Sequence, residues 1–434
     1  MKSWKLYQIL LFCLPLAFGG NVNWAWPLYT ALSFGLLAAE LNRLVSSQQQ
    51  KQLEVIQLPV VLRKALPVIA ILLSVQLWAV VQSLMIDNGS HDIGYYALLG
   101  LGLTAFLPLT LLMVNSRERV KRVVWLVILA AAFQAVYGAL MVLTGLEWSF
   151  FTEKWTYLGK ATGTFVNRNH FAGYLEMSLA LGIGFLLSQS ARYGGSWRQR
   201  LRQTVDTLLS PKVAMRLLLA IMVIALVLSR SRMGNTAFFA SLMITGGLAL
   251  LLMKNKSRST TILLSSLLVI DIAIVGTFFG VEKVAERLQN TSADKESRDE
   301  VVRDTYQMWQ QHPLLGIGAG AYQYTYPAYR GADVGTDKLY DHAHNDYLQF
   351  LAEYGIVGFV ALLVCAGWCL FWAIEAMRKR RSDLFKGMGF ASTMGIIAIG
   401  LHSTVDFNLQ IPANAFMFVM LMAMAVIARW APNK

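Results

Sequence analysis

Residues 353–373 read EYGIVGFVALLVCAGWCLFWA and contain one charged side chain, Glu353. A helix of about 20 mostly apolar residues is long enough to cross the hydrocarbon core of a bilayer. Further stretches of this kind occur along the chain, and we predict twelve spans in total, at 6–20, 23–40, 65–86, 94–114, 123–145, 170–188, 213–229, 234–253, 261–280, 353–373, 385–401 and 412–428. The pattern therefore indicates an all-α, polytopic membrane protein.

The composition agrees with this class. Of the 434 residues, 56% are hydrophobic and 15% are charged, whereas soluble chains average roughly 45–50% and about 25%. This balance excludes an intrinsically disordered chain, a coiled coil and a nucleic-acid-binding arm. The net charge of +13 comes from short basic clusters between apolar runs, so we interpret it as a signal of membrane topology and not of a nucleic-acid partner.

The distribution of lysine and arginine predicts the orientation of the spans. If the N-terminus is cytoplasmic, most of the 38 Lys and Arg residues fall on the inner side, as the positive-inside rule requires. An even number of spans then places both termini in the cytoplasm. We divide the chain into nine spans at 1–280 with a shorter outer loop at 146–169, a large and partly helical outer loop at 281–352, and the last three spans at 353–434.

The large outer loop contains a predicted amphipathic helix. Ser297 and Glu300 form a capping box at its start, and Pro313 follows its end. Its apolar stripe consists of Val301, Val302, Thr305, Met308 and Trp309. Helical spacing puts Arg298 on this stripe and Arg303 on the wetter side. An arginine on the buried face needs an anionic partner, which is either a substrate phosphate or a carboxylate of the loop.

Two histidines, His342 and His344, lie where the large loop returns to the membrane. A histidine in such a place can act as a general base near neutral pH. Two other interpretations remain open. Asp341 and Asp346 could complete a metal site with the histidines, or a histidine could cap the helix that we expect to start near Asn345.

Arginines also occur at the outer ends of two predicted spans. Arg168 follows Asn167 before the sixth span, and Arg230 and Arg232 lie between the seventh and eighth. Snorkelling explains any single arginine of this kind, but positive charges at outer boundaries run against the positive-inside rule. Together with Arg298, these side chains could form a cationic pocket for a diphosphate.

Polar groups in the last outer turn and inside the spans are further candidates. His402 and Asp406 could bind sugar hydroxyls or orient a partner, or they could simply keep the turn soluble. Glu176 and Asp271 lie within predicted spans, where an ionisable group is costly unless it is paired or functional. Glu176 follows Arg168 by about two helical turns, so we expect it on the same side of the pocket.

The glycines of the segment 312–320, HPLLGIGAG, allow a close approach of the backbone to another group. We favour a tight turn packed against the membrane domain. Binding of a phosphate by the backbone N–H groups is the second interpretation.

Taken together, these motifs resemble the bacterial O-antigen ligase and polymerase superfamily. The resemblance is strongest from about 160 to 412. The matching elements are Arg298, the HP-LLGIG segment 312–318, the HNDYL segment 344–348, the EYGIVG segment 353–358, the NRNH segment 167–170 and the SR pair 231–232.

The resemblance implies a bacterial inner-membrane glycosyltransferase of the GT-C type with a periplasmic active site. Its donor would be a glycan linked to undecaprenyl diphosphate, and the family is regarded as metal-independent. A loop histidine, here most similar to His344, would activate the acceptor hydroxyl, while Arg168, Arg232 and Arg298 would hold the diphosphate. His342 competes for the base role and Arg230 for that of Arg232, and Asn167, Asn345 and Asp406 complete the set of candidate substrate-binding residues.

This chemistry agrees with the residues. A lipid diphosphate already leaves readily, so the enzyme must neutralise its charge and position a hydroxyl. In-line attack would invert the anomeric carbon, and no cofactor or nucleotide motif is needed. We favour ligation of O-antigen to lipid A–core, with polymerisation of repeat units on a growing glycan, or glycan transfer to a protein, as alternatives. A secondary transporter with twelve spans is the alternative from another class, and it predicts broken helices and charges in the middle of the membrane.

Overall fold

The protein is described here by a computed structural model, which covers residues 2–52, 55–85, 92–189, 211–254, 261–262, 265–266, 298–334 and 339–432. The regular secondary structure of these residues is helical except for one short hairpin. The helices are α1 (Lys2–Cys13), α2 (Ala25–Gln49), α3 (Val60–Met85), α4 (Asp92–Met113), α5 (Arg117–Thr144), α6 (Arg168–Ser188), α7 (Pro211–Leu228), α8 (Arg232–Leu252), α9 (Arg298–Gln311), α10 (Tyr322–Thr325), α11 (Asp346–Lys379), α12 (Asp383–His402) and α13 (Pro412–Trp430). The hairpin pairs β1 (Trp148–Ser149) with β2 (Thr152–Glu153) in antiparallel fashion.

Eight helices among the described residues are long and apolar enough to cross a membrane, namely α3, α4 from Gly94, α5, α6, α8, α11, α12 and α13. The all-α, polytopic class is confirmed. The predicted first span at 6–20 is wrong in its bounds, because α1 ends at Cys13 and a turn with left-handed residues at Phe18, Gly19 and Gly20 follows. The predicted span 261–280 lies almost wholly outside the described residues, so the total of twelve stays a prediction.

The loops that we predicted to share one side of the membrane do meet at one end of the bundle. The backbone N–H of Ala161 donates to the Leu228 carbonyl at 3.1 Å, and the Asp346 N–H donates to the Ser403 carbonyl at 3.0 Å. The Thr164 hydroxyl donates to the carbonyl of Pro15 at 2.6 Å. We call this the site end. Helices α6, α8, α11 and α13 begin there, and α5, α7 and α12 end there.

Basic residues hold the opposite end of the bundle together. The guanidinium of Arg117 donates to the Ser382 hydroxyl at 2.9 Å, and that of Arg380 to the Ala431 carbonyl at 2.7 Å. The ammonium of Lys386 donates to the carbonyl of Lys254 at 3.1 Å. Cations that bind the terminal carbonyls of helices also complement the helix dipole. We call this the basic end.

Helix α12 lies at the centre of the bundle and packs against α6, α8, α11 and α13. Its approach to α6 depends on two glycines. A Cβ placed at Gly184 would lie 2.3 Å from the Gly387 carbonyl oxygen. Small residues let membrane helices pack with their backbones close together, so α6 and α12 form a rigid pair on which the site end is built.

Helix α11 is broken near the site end. Gly355 has φ 67° and ψ 177°, a conformation that is essentially restricted to glycine. The turn 313–318 packs into the break: the Ile317 N–H donates to the Ala352 carbonyl at 2.9 Å, the Gly318 N–H to Glu353 at 3.0 Å, and the Ile356 N–H to Pro313 at 2.9 Å. The tight-turn interpretation of the glycines is therefore confirmed, since these N–H groups bind the backbone of α11. The predicted span 353–373 lies within this helix, whose first segment begins earlier, at Asp346.

Substitution of Gly355 tests the break. Gly355→Ala would put a Cβ 2.1 Å from the Leu314 carbonyl oxygen in a left-handed backbone, so we expect a loss of about 2–3 kcal/mol in unfolding free energy. The matched control is Gly367→Ala in the same helix, where a Cβ meets no atom within 4 Å. Thermal unfolding in detergent should show a lower midpoint for the first variant only. Equal midpoints would mean that the break is dispensable.

Candidate functional site

Three histidines from two parts of the chain meet on one phenylalanine at the site end. Phe407 lies in the turn between α12 and α13. The His342 ring stacks on it with centroids 4.3 Å apart, and His344 and His170 contact it edge-on at 4.9 Å and 4.6 Å. We call these four residues the histidine cluster. Sequence reasoning identified His342 and His344 but missed His170, although His170 lies in the quoted NRNH segment, and it missed Phe407.

The buried carboxylate of Asp406 supports the histidine cluster. This residue is 1% exposed, and its carboxylate accepts hydrogen bonds from the Asn169 side chain and from the Phe407 N–H. His170 Nε2 lies 3.5 Å from Asp406 Oδ1, the oxygen that also accepts the Phe407 N–H. Burial by itself would raise the pKa of Asp406, but His170 and the more distant His402 and His344 lower it below its ordinary value. Asp406 is therefore ionised and holds α6 against the turn.

The side-chain amide of Gln349 holds the ring of His342 in place. Gln349 Nε2 lies 3.0 Å from His342 Nδ1, and Gln349 Oε1 accepts the Ala343 N–H at 3.1 Å. Burial lowers the pKa of His342 below its ordinary 6.5, although Asp341 opposes this effect. The imidazole is consequently neutral near pH 7, which is the state that accepts a proton. Gln349 is a positioning residue that sequence reasoning missed.

His344 has an uncommon backbone conformation. Its φ is 51°, and the left-handed region costs a non-glycine residue about 1–2 kcal/mol. The residues on either side are fixed, because the Ala343 N–H is bound to Gln349 and the Asn345 side chain accepts the Leu348 N–H at 3.1 Å. Such strain persists only where the surroundings determine the conformation, and it is frequent at functional sites.

The helix start predicted near Asn345 is confirmed, and the capping residue is Asn345 itself. The following Asp346 is buried, and its Oδ2 accepts the Ser403 hydroxyl at 2.7 Å and the Leu409 N–H at 3.0 Å. These contacts join Asp346 to the segment that follows α12. Among the described residues, no group of three or more His, Cys, Asp or Glu side chains is arranged to hold a metal ion.

Each of the three arginines that the family resemblance implicates is the first residue of a helix. Arg168 begins α6, Arg232 begins α8 and Arg298 begins α9. Side chains cap the first two helices. Asn167 accepts a hydrogen bond from the Asn169 N–H at 2.8 Å, and Ser231 accepts one from the Gly234 N–H at 3.2 Å. A helix N-terminus favours anions, so an arginine at this position adds to an existing positive field.

Arg168 and the start of α8 lie in neighbouring turns. A Cβ at Gly234 would lie 2.6 Å from Ala172 Cβ, one turn beyond Arg168 in α6. The Arg168 guanidinium lies over the Tyr157 ring, 5.6 Å from its centroid, and the exposed Arg232 follows the capping residue.

Arg168 is also two residues from His170, which links this arginine to the histidine cluster. Arg230 is exposed and has φ 53°. The side chain of Arg298 lies outside the described residues.

The amphipathic helix α9 agrees with its prediction. It begins at Arg298 and buries Val301, Thr305 and Met308, while Ser297 lies outside the described residues. Arg303 is on the wetter side, as expected, where it pairs with Asp304 at 2.7 Å and with Asp333 at 2.8 Å. Its charge is therefore already neutralised by carboxylates of the loop.

Glu176 has a different neighbour from the one we expected. It pairs with His402 at 2.7 Å across α6 and α12, and both side chains are fully buried. The interpretation of His402 and Asp406 as polar groups that keep a turn soluble is wrong, because neither is accessible to solvent. Asp271 lies outside the described residues.

Comparison with known families adds an independent finding. Residues 217–363 match the model of the family described as O-antigen ligase. The match covers about a third of the chain and contains Arg232, Arg298, His342 and His344. It supports the superfamily that the motifs resemble. No curated protein matches the chain.

The ionised state of Asp406 generates a testable prediction. Its folded-state pKa is lowered, so the stability it contributes is present above the ordinary carboxyl pKa of 3.8 and is lost as the pH falls through the lower folded-state value. Asp406→Asn should therefore lower the unfolding free energy by about 3 kcal/mol between about pH 5 and 8.

Thermal unfolding across this pH range measures the effect of Asp406→Asn. The exposed neighbour Asp341 supplies the control, since Asp341→Asn should leave the midpoint nearly unchanged. A difference that vanishes at neutral pH would contradict the assignment of a buried carboxylate to Asp406.

Proposed function

We propose that this membrane protein, whose residues 217–363 match the O-antigen ligase family, transfers a glycan from undecaprenyl diphosphate to an acceptor hydroxyl. The transfer takes place at the periplasmic face of a bacterial inner membrane, with inversion and without a metal or other cofactor. The observation that carries the proposal is the histidine cluster, which lies at the same end of the bundle as the N-terminal arginines of α6 and α8.

The two chemical requirements of this reaction are met by different parts of the site. The acceptor oxygen attacks the anomeric carbon while the bond from that carbon to the diphosphate oxygen breaks. Arginines at helix N-termini stabilise the two negative charges that the departing diphosphate carries. A neutral imidazole takes the proton of the hydroxyl.

Of the two histidines, we assign the base to His344. It has a left-handed φ of 51° between two hydrogen-bonded neighbours, Ala343 and Asn345, and it is the first residue of the HNDYL segment on which the resemblance rests. His342 is held by Gln349 and stacked flat on Phe407, so we assign it the support of the neighbouring ring. Asn167, Asn345 and Asp406 then act by fixing backbone and side chains around the substrate.

The orientation follows from the two ends of the bundle. The basic end carries Arg117, Arg380 and Lys386, so the positive-inside rule places it in the cytoplasm together with both termini. The site end is then periplasmic, where lipid-linked glycans are available as donors.

Ligation to lipid A–core is the reaction that we favour, and polymerisation or protein glycosylation are its alternatives.

The broken helix α11 and the buried pair of Glu176 and His402 are features that a secondary transporter would also show. The family match and the arginines at the helix starts favour the transferase.

The polysaccharides of a deletion strain test which transfer takes place. Loss of a ligase should leave lipid-linked polymer that is not joined to lipid A–core. Loss of a polymerase should instead leave single repeat units, and an unchanged lipopolysaccharide profile together with loss of a glycoprotein would indicate protein glycosylation.

Replacement of His344 by asparagine tests the base. Asparagine tolerates the left-handed backbone, so His344→Asn removes the imidazole without adding strain. We expect the rate of glycan transfer in proteoliposomes to fall by about 100-fold or more. His312→Asn, at an exposed histidine of the same loop, is the control. Retained turnover of His344→Asn would contradict this assignment and favour His342 as the base.

A pair of arginines on one helix tests the diphosphate site. Arg298→Ala should raise the KM for the lipid diphosphate donor by at least about tenfold, which corresponds to one charge-assisted contact. Arg303→Ala should leave this KM nearly unchanged, because Arg303 is bound to Asp304 and Asp333. Equal effects of the two substitutions would count against Arg298 as a ligand.

A further inference from the structure

A cavity of about 420 Å³ lies between α3, α4, α11, α12 and α13, apart from the arginines. Most of its lining is apolar, for example Leu72, Leu103, Phe359, Leu370, Phe418 and Met422. Leu363 lines the cavity and is 42% exposed. The cavity therefore reaches the lateral surface of α11, where a chain from the bilayer can enter.

The end of the cavity that faces the site is polar. Asp346 and Gln410 line it, and they are only 1% and 8% exposed. Asp346 Oδ1 and Gln410 Nε2 have no hydrogen-bond partner among the described residues. One of these atoms is an acceptor and the other a donor, and hydroxyl groups, which both donate and accept, are ligands that suit each of them.

An open groove of about 490 Å³ adjoins this cavity. It lies between α9 and α11, and Tyr347 and Phe359 line both spaces. Asn345 also lines the groove, one residue after His344. A molecule that fills the cavity and the groove thus contacts the residue that follows His344, which we assign as the base.

The charges along this path disfavour a diphosphate. No described lining residue of either space comes from α6 or α8, the helices that begin with Arg168 and Arg232. Asp346 is the one acidic or basic residue among the described residues that line the cavity. The groove adds Asp299 and Arg303, and Arg303 is already paired with two carboxylates. The cavity and its polar end therefore fit an apolar chain and sugar hydroxyls, and any phosphate of the same lipid would lie outside them.

We propose that the cavity and the groove bind the lipid-anchored acceptor, with its chain between α3, α4, α11 and α13 and its sugar hydroxyls at Asp346 and Gln410. This assignment rests on the proposed glycan transfer. The donor diphosphate then lies at the starts of α6 and α8, and Arg298 at the start of α9, next to the groove-lining Asp299, stands between the two substrates. The two lipid substrates approach the histidine cluster along different faces of α12, so neither has to leave before the other enters.

Gly367 offers a direct test, because it lines the cavity and a Cβ there meets no atom within 4 Å. The series Gly367→Ala, Gly367→Leu and Gly367→Phe adds side-chain volume stepwise from a Cβ that meets no protein atom within 4 Å. The control is Gly35→Phe in α2, where a Cβ also meets no atom within 4 Å and which does not line the cavity. Initial rates are measured in proteoliposomes with rough lipopolysaccharide as acceptor and undecaprenyl-diphosphate-linked O-antigen as donor.

We expect the KM for the acceptor to rise with the size of the side chain, by about tenfold or more for phenylalanine. A tenfold rise corresponds to the lost burial of roughly one to two methylene groups of the lipid chain. The KM for the donor should stay within about twofold, and Gly35→Phe should change neither value. If the donor KM rises instead, the cavity holds the donor chain and the assignment is wrong. If neither KM changes, no substrate chain occupies the cavity, and the assignment is wrong as well.

Failure of the proposed function has a different signature, since the wild-type protein would then transfer no glycan. Binding of rough lipopolysaccharide, measured by native mass spectrometry, decides the acceptor site in that case. Weaker binding by the leucine and phenylalanine variants than by Gly35→Phe supports the site, and equal binding overturns it. Thermal unfolding identifies any variant that does not fold, and the leucine variant replaces phenylalanine if that one fails.

Discussion

The contact between the first turn of α11 and the turn that follows α12 determines the rest of the site. Asp346 makes this contact twice: its N–H donates to the carbonyls of Ser403 and Asp406, and its carboxylate accepts the Ser403 hydroxyl and the Leu409 N–H. Buried polar groups that are bonded in this way fix one relative position, because separating them would leave uncompensated charge. The contact places Phe407 beneath His342 and His344.

The same arrangement separates the charged groups that the proposed reaction needs. Negative charge is buried beneath the histidine cluster at Asp406, while the arginines lie at the N-termini of α6 and α8. The rigid packing of α6 against α12 keeps these two parts in place, since the helices meet backbone to backbone at Gly184 and Gly387. Positioning on rigid elements is what allows fixed charges to act without reorganisation during a reaction.

The break in α11 joins the loop to the membrane domain. Without a side chain at Gly355, the turn 313–318 reaches the backbone of α11 and is tied to α3 through Gln82, which donates to the Leu315 and Glu353 carbonyls. The break also gives α11 a first segment, from Asp346 to Tyr354, that carries Gln349 beside His342. One helix therefore lines the proposed acceptor cavity and positions the histidines.

The sequence by itself determined the all-α class, the clustering of basic side chains, the apolar stripe of α9 and the helix start after Asn345, because hydropathy, periodicity and capping depend on residues that are near one another in the chain. It also identified His342 and His344 by composition and resemblance. Only the tertiary structure decided that Glu176 pairs with His402, 226 residues away, and that His170 and Phe407 join the loop histidines. Such partners are selected by helix packing, which no local pattern encodes.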